Sequence, residues 1–414
     1  MRFVVLTFFA ITLCAAILLC QEQPSASGKV PYGWSNVGGI ELTPAKSVTC
    51  AEGKRCATVI SAWSGAALDR TNKRLIIFGG GHGDYYGNEQ YALSYGSPKP
   101  SFSIVYKATE PPNSTCANLT GPVEGHSSEE ACTKGLPALR TPKGACYENP
   151  LATAPNSRHT YAGMTGIDAL DNGHPGFLVV GGAFACASGS GDQSDAWLED
   201  LTTGQWKHMS IPRPWSGSLG SVIAQYDSAS KHVYLMSDNV FGAYDPERNT
   251  FKQLSDVGGG IYAFGAVNPN TGEFVLFEPH AGINKIWGFD LKSGKKRDLT
   301  SKAIGCRPLL ESTQEEGPRP YASGIAFDPG DRSLVIWPNA GASVFVFKDG
   351  NCTEENFAKS GSPPSSTTPE GGQTGSSNGT YGRWQNVSPG LFLLVTDWNL
   401  PAKFLCRKQA GCKL

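Results

Sequence analysis

SGAALDRTNKRLIIFGGGHGDYYGNEQYALSY, residues Ser64 to Tyr95, holds the pattern on which the rest of the chain is read. It runs from a small-residue segment (Ser64–Leu68) through a polar turn (Asp69–Lys73) to a strongly apolar segment (Leu75–Phe78). A glycine-rich loop and an aromatic-bearing segment (Gln90–Tyr95) follow. Each apolar run is too short for a helix and is bounded by turn formers, which is the signature of buried β-strands. The same order returns along the chain, in Arg158–Met209, Ser221–Leu254, Ile261–Leu299 and Ala322–Lys348, and once more from Thr380. The turns between strands agree: Asp-Pro-Glu-Arg-Asn, Asn-Pro-Asn-Thr-Gly and Asp-Pro-Gly-Asp place helix- and strand-breaking residues between apolar runs.

A four-strand unit repeating every roughly forty to fifty residues predicts the blades of an all-β propeller. Six units are counted, and a seventh would need strands inside 110–156 or 351–379. The last unit has three strands before the chain ends. The segment Tyr32-Gly-Trp-Ser-Asn-Val-Gly-Gly offers the fourth, so an N-terminal strand is expected to close the ring and remove its open edges. The expected organisation is one propeller domain over 30–408. It carries a cysteine-rich insertion at about 110–156 and a flexible loop at about 358–379, rich in Gly, Ser, Thr and Pro without hydrophobic period.

Arg2 followed by an apolar run to about Leu19 reads as a secretory signal peptide over 1–20 rather than a membrane span. Cys20 before Gln21 admits a lipoprotein alternative, against which stands the bulk of Leu19. Export to an extracellular or periplasmic location follows. No second long apolar run is present, so no membrane span is expected. Of twelve cysteines, Cys14 and Cys20 fall in the leader, and the remaining ten form an even set suited to disulfides. Close-spaced candidates are Cys50 with Cys56 and Cys406 with Cys412. Cys116, Cys132, Cys146 and Cys186 are placed as staples of the insertion, and Cys306 within reach of Cys352. No cysteine pair has zinc-ligand spacing, and no metal ligand or cofactor is assigned. Sequons stand at Asn113, Asn118, Asn351, Asn378 and Asn386. A net charge of −1 without a basic block argues against nucleic acid as a partner, and the chain is expected to act as a monomer.

The pairs Phe78-Gly79-Gly80 and Val180-Gly181-Gly182, the Asp-rich turns and the Trp206 strand resemble kelch repeats of the galactose-oxidase-like propeller superfamily. The stretch Ala62–Glu89 is also similar to secreted bacterial members of that group. The resemblance covers most of the chain after the leader but is strong only in the first two blades, since the later ones lack the Gly-Gly pair. It implies a fold more firmly than a function.

In a propeller blade the first strand is innermost and the second runs back against it, so first-strand starts and second-strand ends share one mouth of the channel. Those positions hold Trp63, His82, Asp84 and Tyr85 in blade 1, and Arg158, His159 and Tyr161 in blade 2. Asp238 and Asn239 follow in blade 3, His280 in blade 4, Arg319, Tyr321 and Asn339 in blade 5, and Tyr381, Arg383 and Asp397 in blade 6. The opposite turns carry ordinary hairpin residues such as Asp227-Ser228. Guanidinium groups hold carboxylates or sulfates through paired hydrogen bonds, so the mouth predicts an anionic ligand, with an acidic polysaccharide preferred. For β-elimination on a uronate, His82 or His159 is the candidate base, Tyr161 the acid and Arg158 the charge stabiliser, with Arg383 as its alternate. Asp84, Tyr85, His280, Arg319, Tyr321, Asn339 and Arg383 are the candidate substrate contacts. The parts are similar to those of propeller lyases acting on ulvan. A non-catalytic binding or adhesion propeller is the alternative reading, since kelch-like rings often serve as interaction platforms. The bland reading of Arg158, Arg319 and Arg383 is that they hold the ring together, as inter-blade ion pairs or carbonyl ligands. A copper-radical oxidase of the galactose oxidase type is the third, and for it the family's adjacent Tyr-His pair is missing.

Overall fold

Aspartate or asparagine ends the inner strand in four of the blades, and its side chain folds the chain back. Asp69 accepts the Asn72 N–H at 3.0 Å, Asp227 the Ser230 N–H at 3.0 Å, Asn268 the Asn270 N–H at 3.1 Å and Asp328 the Gly330 N–H at 2.8 Å. Such turns convert the apolar runs into hairpins. The computed structural model describes residues 28–38, 58–79, 88–97, 100–107, 139–140, 146–147, 154–155, 158–184, 195–212, 222–237, 240–256, 259, 263–279, 283–311, 322–364, 379–398 and 400–414.

Six four-stranded antiparallel sheets form a ring. Blade 1 contains Ala66–Asp69, Arg74–Ile77, Gln90–Ser94 and Ser101–Tyr106; blade 2 contains Met164–Ile167, Gly176–Val180, Asp195–Asp200 and Gln205–Ser210. Blade 3 holds Ile223–Asp227, His232–Ser237, Val240–Asp245 and Thr250–Ser255, and blade 4 holds Phe264–Asn268, Glu273–Glu278, Lys285–Asp290 and Lys296–Asp298. Blade 5 is Gly324–Asp328, Ser333–Trp337, Ser343–Lys348 and Asn351–Asn356. Blade 6 combines Trp384–Ser388, Leu391–Leu394 and Lys403–Cys406 with the N-terminal strand Gly33–Asn36. The first strand of each blade touches the first strand of the next, and blade 6 returns to blade 1.

The core is divided among the seams between blades. Ile76 and Phe78 meet Phe177 and Val179 between blades 1 and 2, and Leu178 and Val180 meet Val233 and Leu235 between blades 2 and 3. Met236 and Phe241 meet Phe274 and Leu276, and Phe277 and Ile286 meet Leu334 and Phe347, at the next two seams. Trp337 packs with Trp384 and Phe392 between blades 5 and 6, and Tyr91 with Phe404 and Trp398 at the closing seam. Each such side chain contributes about 1.5–3 kcal/mol on burial, so the ring is held by all its seams together. Where neighbouring inner strands approach each other, glycine is required. A Cβ on Gly166 would lie 2.1 Å from the Leu68 carbonyl oxygen, and one on Gly382 2.1 Å from that of Ala66.

Closure follows the expected route. Gly33 pairs with Cys406 and Asn36 with Lys403, while Trp34 donates its indole N–H to the Ala342 carbonyl of blade 5 at 3.0 Å. A second tie pairs Lys29–Val30 with Cys412–Lys413. The disulfides Cys306–Cys352 and Cys406–Cys412 are formed. Cys50, Cys56, Cys116, Cys132 and Cys186 lie outside the described residues, and of Cys146 only its strand is described. So does the leader, 1–20. Within 110–156 a short hairpin pairs Leu139–Arg140 with Cys146–Tyr147. The glycine- and serine-rich segment is fastened at its start: the Ser360 carbonyl accepts the Trp34 N–H at 2.8 Å, and Trp34 bridges Gly361. That contact covers the otherwise bare edge of the N-terminal strand. Residues 365–378 lie outside the described residues. Among the described residues, no helix is long and apolar enough to cross a membrane.

Candidate functional site

The mouth at the inner-strand starts is built by one repeated turn. Trp63-Ser-Gly-Ala, Tyr161-Ala-Gly-Met, Ala322-Ser-Gly-Ile and Tyr381-Gly-Arg-Trp occupy equivalent positions in blades 1, 2, 5 and 6. The first residue of each is left-handed, with φ of 48°, 49°, 51° and 47°. A bulky L-residue there costs on the order of 1–2 kcal/mol and persists only where its surroundings fix it. Here the turn aims a carbonyl at the neighbouring blade. The Tyr161 N–H donates to the Trp63 carbonyl at 2.7 Å, and the Tyr381 N–H to the Ala322 carbonyl at 3.0 Å. The preceding threonines hold the turns: the Thr160 hydroxyl accepts the Gly65 N–H at 2.9 Å, and the Thr380 hydroxyl donates to the Asn339 side-chain oxygen at 2.6 Å.

This backbone gathers an aromatic cluster. The Trp63 ring lies 4.7 Å from that of His159 at 32°, His159 lies 6.0 Å from Tyr161 edge-on, and Tyr161 lies 5.8 Å from Tyr381 edge-on. Trp63 and Tyr161 are partly exposed, whereas His159 and Tyr381 retain 3% and 6% exposure. Trp63 and Tyr161 therefore form the accessible surface, and His159 is buried against them.

The arginines lie beneath it. Arg158 and Arg383 have no exposed surface. Arg158 donates to the Gly181 carbonyl at 3.0 Å. Arg383 donates to the carbonyls of Ser64 (2.9 Å), Val395 (2.8 Å), Thr396 (3.0 Å) and Gly379 (2.5 Å), joining blade 6 to blade 1. Burial lowers Arg383 to about 10, opposed by Tyr381 and Asp397, so it is cationic at neutral pH. Carbonyl oxygens orient each guanidinium, and the Asp397 carboxylate lies within electrostatic reach of Arg383.

Of the residues expected here, Arg158, His159, Tyr161, Asn339 and Arg383 are brought to this end of the channel. Asn339 is left-handed and buried and accepts from Thr380, so it fixes the blade 5–6 seam. His82, Asp84, Tyr85, His280, Arg319 and Tyr321 lie outside the described residues, as do Asp238 and Asn239. Trp63 and Tyr381 were placed at the mouth by register but given no role. The signal for them is an aromatic residue followed by two small ones, or by Gly-Arg, just ahead of an inner strand. The remaining described histidines sit elsewhere: His174 pairs with Asp200 at 2.8 Å, His208 stacks on Trp197, and His232 meets the Ser230 carbonyl. No group of three or more His, Cys, Asp or Glu among the described residues is arranged to hold a metal.

No family model matches the sequence, and no curated protein matches it. Solved structures of similar shape include a Bacteroides thetaiotaomicron VPI-5482 protein of unknown function, at 9% identity over 92% of this chain and 70% of that one, with a TM-score of 0.43. The gluconolactonase XC5397 of Xanthomonas campestris is similar at 10% identity over 83% and 85% of the two chains, with a TM-score of 0.43. TolB from Acinetobacter baumannii follows at 12% identity, 71% and 51% coverage, and a TM-score of 0.36. These values carry no functional information.

Proposed function

We propose that the chain is an exported, kelch-like propeller that binds an acidic glycan at the mouth formed by Trp63, His159, Tyr161 and Tyr381. The aromatic cluster carries this reading. Sugar rings present C–H faces that pack on Trp and Tyr, and a mouth underlain by buried guanidinium groups favours an anionic ligand over a neutral one. Pairing of Cys306 with Cys352 and of Cys406 with Cys412 fits an oxidising compartment.

Elimination is the enzymatic form of this reading. A base takes the C5 proton of a uronate, the electron pair forms the C4–C5 double bond, and the C4 oxygen leaves with a proton from an acid. Tyr161 is the accessible acid and His159 or His82 the base, with Arg158 and Arg383 acting through their field. The burial of His159 and the carbonyl contacts of both arginines favour binding without turnover as the simpler form. A copper-radical site would need two histidines with two tyrosines, and the described cluster contributes one histidine.

Titration calorimetry with oligouronates and their neutral counterparts tests the binding claim. Oligouronates are expected to bind, and Trp63→Ala to weaken them about tenfold or more. Failure of every acidic glycan in a broad panel to bind overturns it. Absorbance of the unsaturated product tests elimination: Tyr161→Phe is expected to retain ligand and lose product. Bound oligouronates that yield no product remove the lyase reading and leave the binding one.

A further inference from the structure

The other end of the channel, where the inner strands finish, encloses a cavity of about 340 Å³. All six blades contribute to its wall, with Arg70, Asp168, Gln225, Tyr226, Phe327 and Gln385 supplying the polar and aromatic surface. Gln225 of blade 3 and Gln385 of blade 6 belong to blades opposed across the ring. Gln385 donates its amide N–H to the Gly382 carbonyl at 2.8 Å, which leaves its oxygen as an acceptor. The Gln225 amide and the Tyr226 hydroxyl make no hydrogen bond among the described residues. Tyr226 is raised from its ordinary value by burial and then by Asp168, so its hydroxyl is a proton-bearing donor beside that carboxylate. At the rim, Arg70 and Asp168 lie 3.8 Å apart and are 50% and 45% exposed. Asp227 is engaged by its own turn through Ser230.

The wall therefore offers amides that donate and accept, one phenol, one aromatic face, and an arginine matched by a carboxylate. The lining sets one arginine against two carboxylates: Asp168 is paired with Arg70, and Asp227 is taken up by the Ala229 and Ser230 donors of its own turn, so an anion is disfavoured and no charge is left aimed at a cation. Amides and matched Arg–Asp pairs suit neighbouring hydroxyls, each of which also donates and accepts. An aromatic face suits an apolar ring face. The cavity is at the small end of ligand-pocket sizes, roughly 300–1,000 Å³.

We infer that this end of the channel is a second binding site, which takes a single neutral sugar ring. It is separate from the aromatic mouth in position and in charge. The test is titration of the full chain with D-glucose, D-galactose and D-mannose, with D-glucuronate and D-glucosamine as charged controls, followed by ligand-observed NMR. At least one neutral hexose is expected to bind in preference to both charged sugars. Gln225→Leu is expected to weaken it by about fivefold to tenfold, while Trp63→Ala leaves it unchanged. Arg70→Lys, at the half-exposed rim, gives a second variant that keeps the charge, removes the guanidinium fork that also donates to the Asn386 carbonyl at 3.0 Å, and is expected to weaken the same sugar. Absence of neutral hexose binding, preference for either charged sugar, or loss of binding on Trp63→Ala with Gln225→Leu unaffected would each overturn the inference. Loss of oligouronate binding with hexose binding intact would instead count against the aromatic mouth alone.

Discussion

Glu199 gives the most quantitative handle on this fold. It lies on the third strand of blade 2, is 3% exposed, and accepts the Gln90 side-chain N–H of blade 1 at 2.6 Å. Burial raises its carboxyl from 4.5 to about 8, against the opposing effects of the Gln90 hydrogen bond and Arg74. Between those two values the folded protein holds a proton that the unfolded chain has released. Stability is therefore greatest below about pH 4.5 as far as this group is concerned, and it falls as pH rises until the folded carboxyl ionises near pH 8. Each pH unit in that window removes about 1.4 kcal/mol, or on the order of 5 kcal/mol across it. Replacing Glu199 by Gln removes the ionisable group and keeps an amide oxygen to accept from Gln90. Urea unfolding of both proteins at pH 5, 6, 7 and 8 gives the measurement, and the difference between them cancels the other titrating groups. Wild type is expected to lose stability relative to Glu199→Gln by about 1.4 kcal/mol per unit over this range. Parallel curves for the two proteins would refute the reasoning, because they would mean that Glu199 ionises in the folded state as freely as in the unfolded chain.

Arg407 is 6% exposed and bonds Asp328, Asp331 and Glu355, each at 2.8 Å, so Arg407→Ala leaves the nearly inaccessible Asp328 carboxylate without its cation. A loss of about 3–5 kcal/mol is expected in chemical denaturation. Arg383→Lys keeps the charge but replaces a planar fork serving four carbonyls with a single ammonium group. It should lower stability by roughly 3 kcal/mol or more, measured in the same assay. Gly382→Ala puts a methyl group where the Ala66 carbonyl already sits, and should cost about 1–3 kcal/mol with a lowered thermal midpoint.

The blades were legible because their signals are local. Asp245-Pro-Glu-Arg-Asn reads as a turn, and the structure shows why: the Asp245 carboxylate accepts the Glu247 and Arg248 N–H groups at 3.0 Å, and Asn249 takes the left-handed φ of 50°. The N-terminal strand could be paired with blade 6 because that unit was one strand short, and an unpaired edge is unfavourable whatever the sequence. Whether an arginine in the mouth contacts a ligand or holds the ring together was not legible. Residue type reveals that Arg383 carries charge, but not that its donors meet carbonyls from two blades, since that depends on contacts over 300 residues apart in the chain. The hairpin-end cavity was missed for a related reason. Its wall draws a few residues from every blade, and only closure of the ring brings Gln225 and Gln385 into a common space.

The left-handed turns tie fold and function together more closely than the sequence suggested. Propensity argues against tryptophan or tyrosine at such a φ, where glycine or asparagine is at home. Lys73, Lys231, Arg332 and Asp349 share the conformation, but in hairpin turns, where a polar side chain simply projects into water. At the mouth the same strain is carried by Trp63, Tyr161 and Tyr381, and it is compensated by the inter-blade hydrogen bonds that the turned carbonyls of Trp63 and Ala322 accept. Glycine would fit that backbone with less strain and would keep both hydrogen bonds. What glycine would not supply is the ring, and the three rings contact one another or His159 at the open end of the channel. Closure of the propeller thus accounts for the turn, but not for the aromatic side chain mounted on it. That remainder is what the proposed glycan site at this mouth rests on.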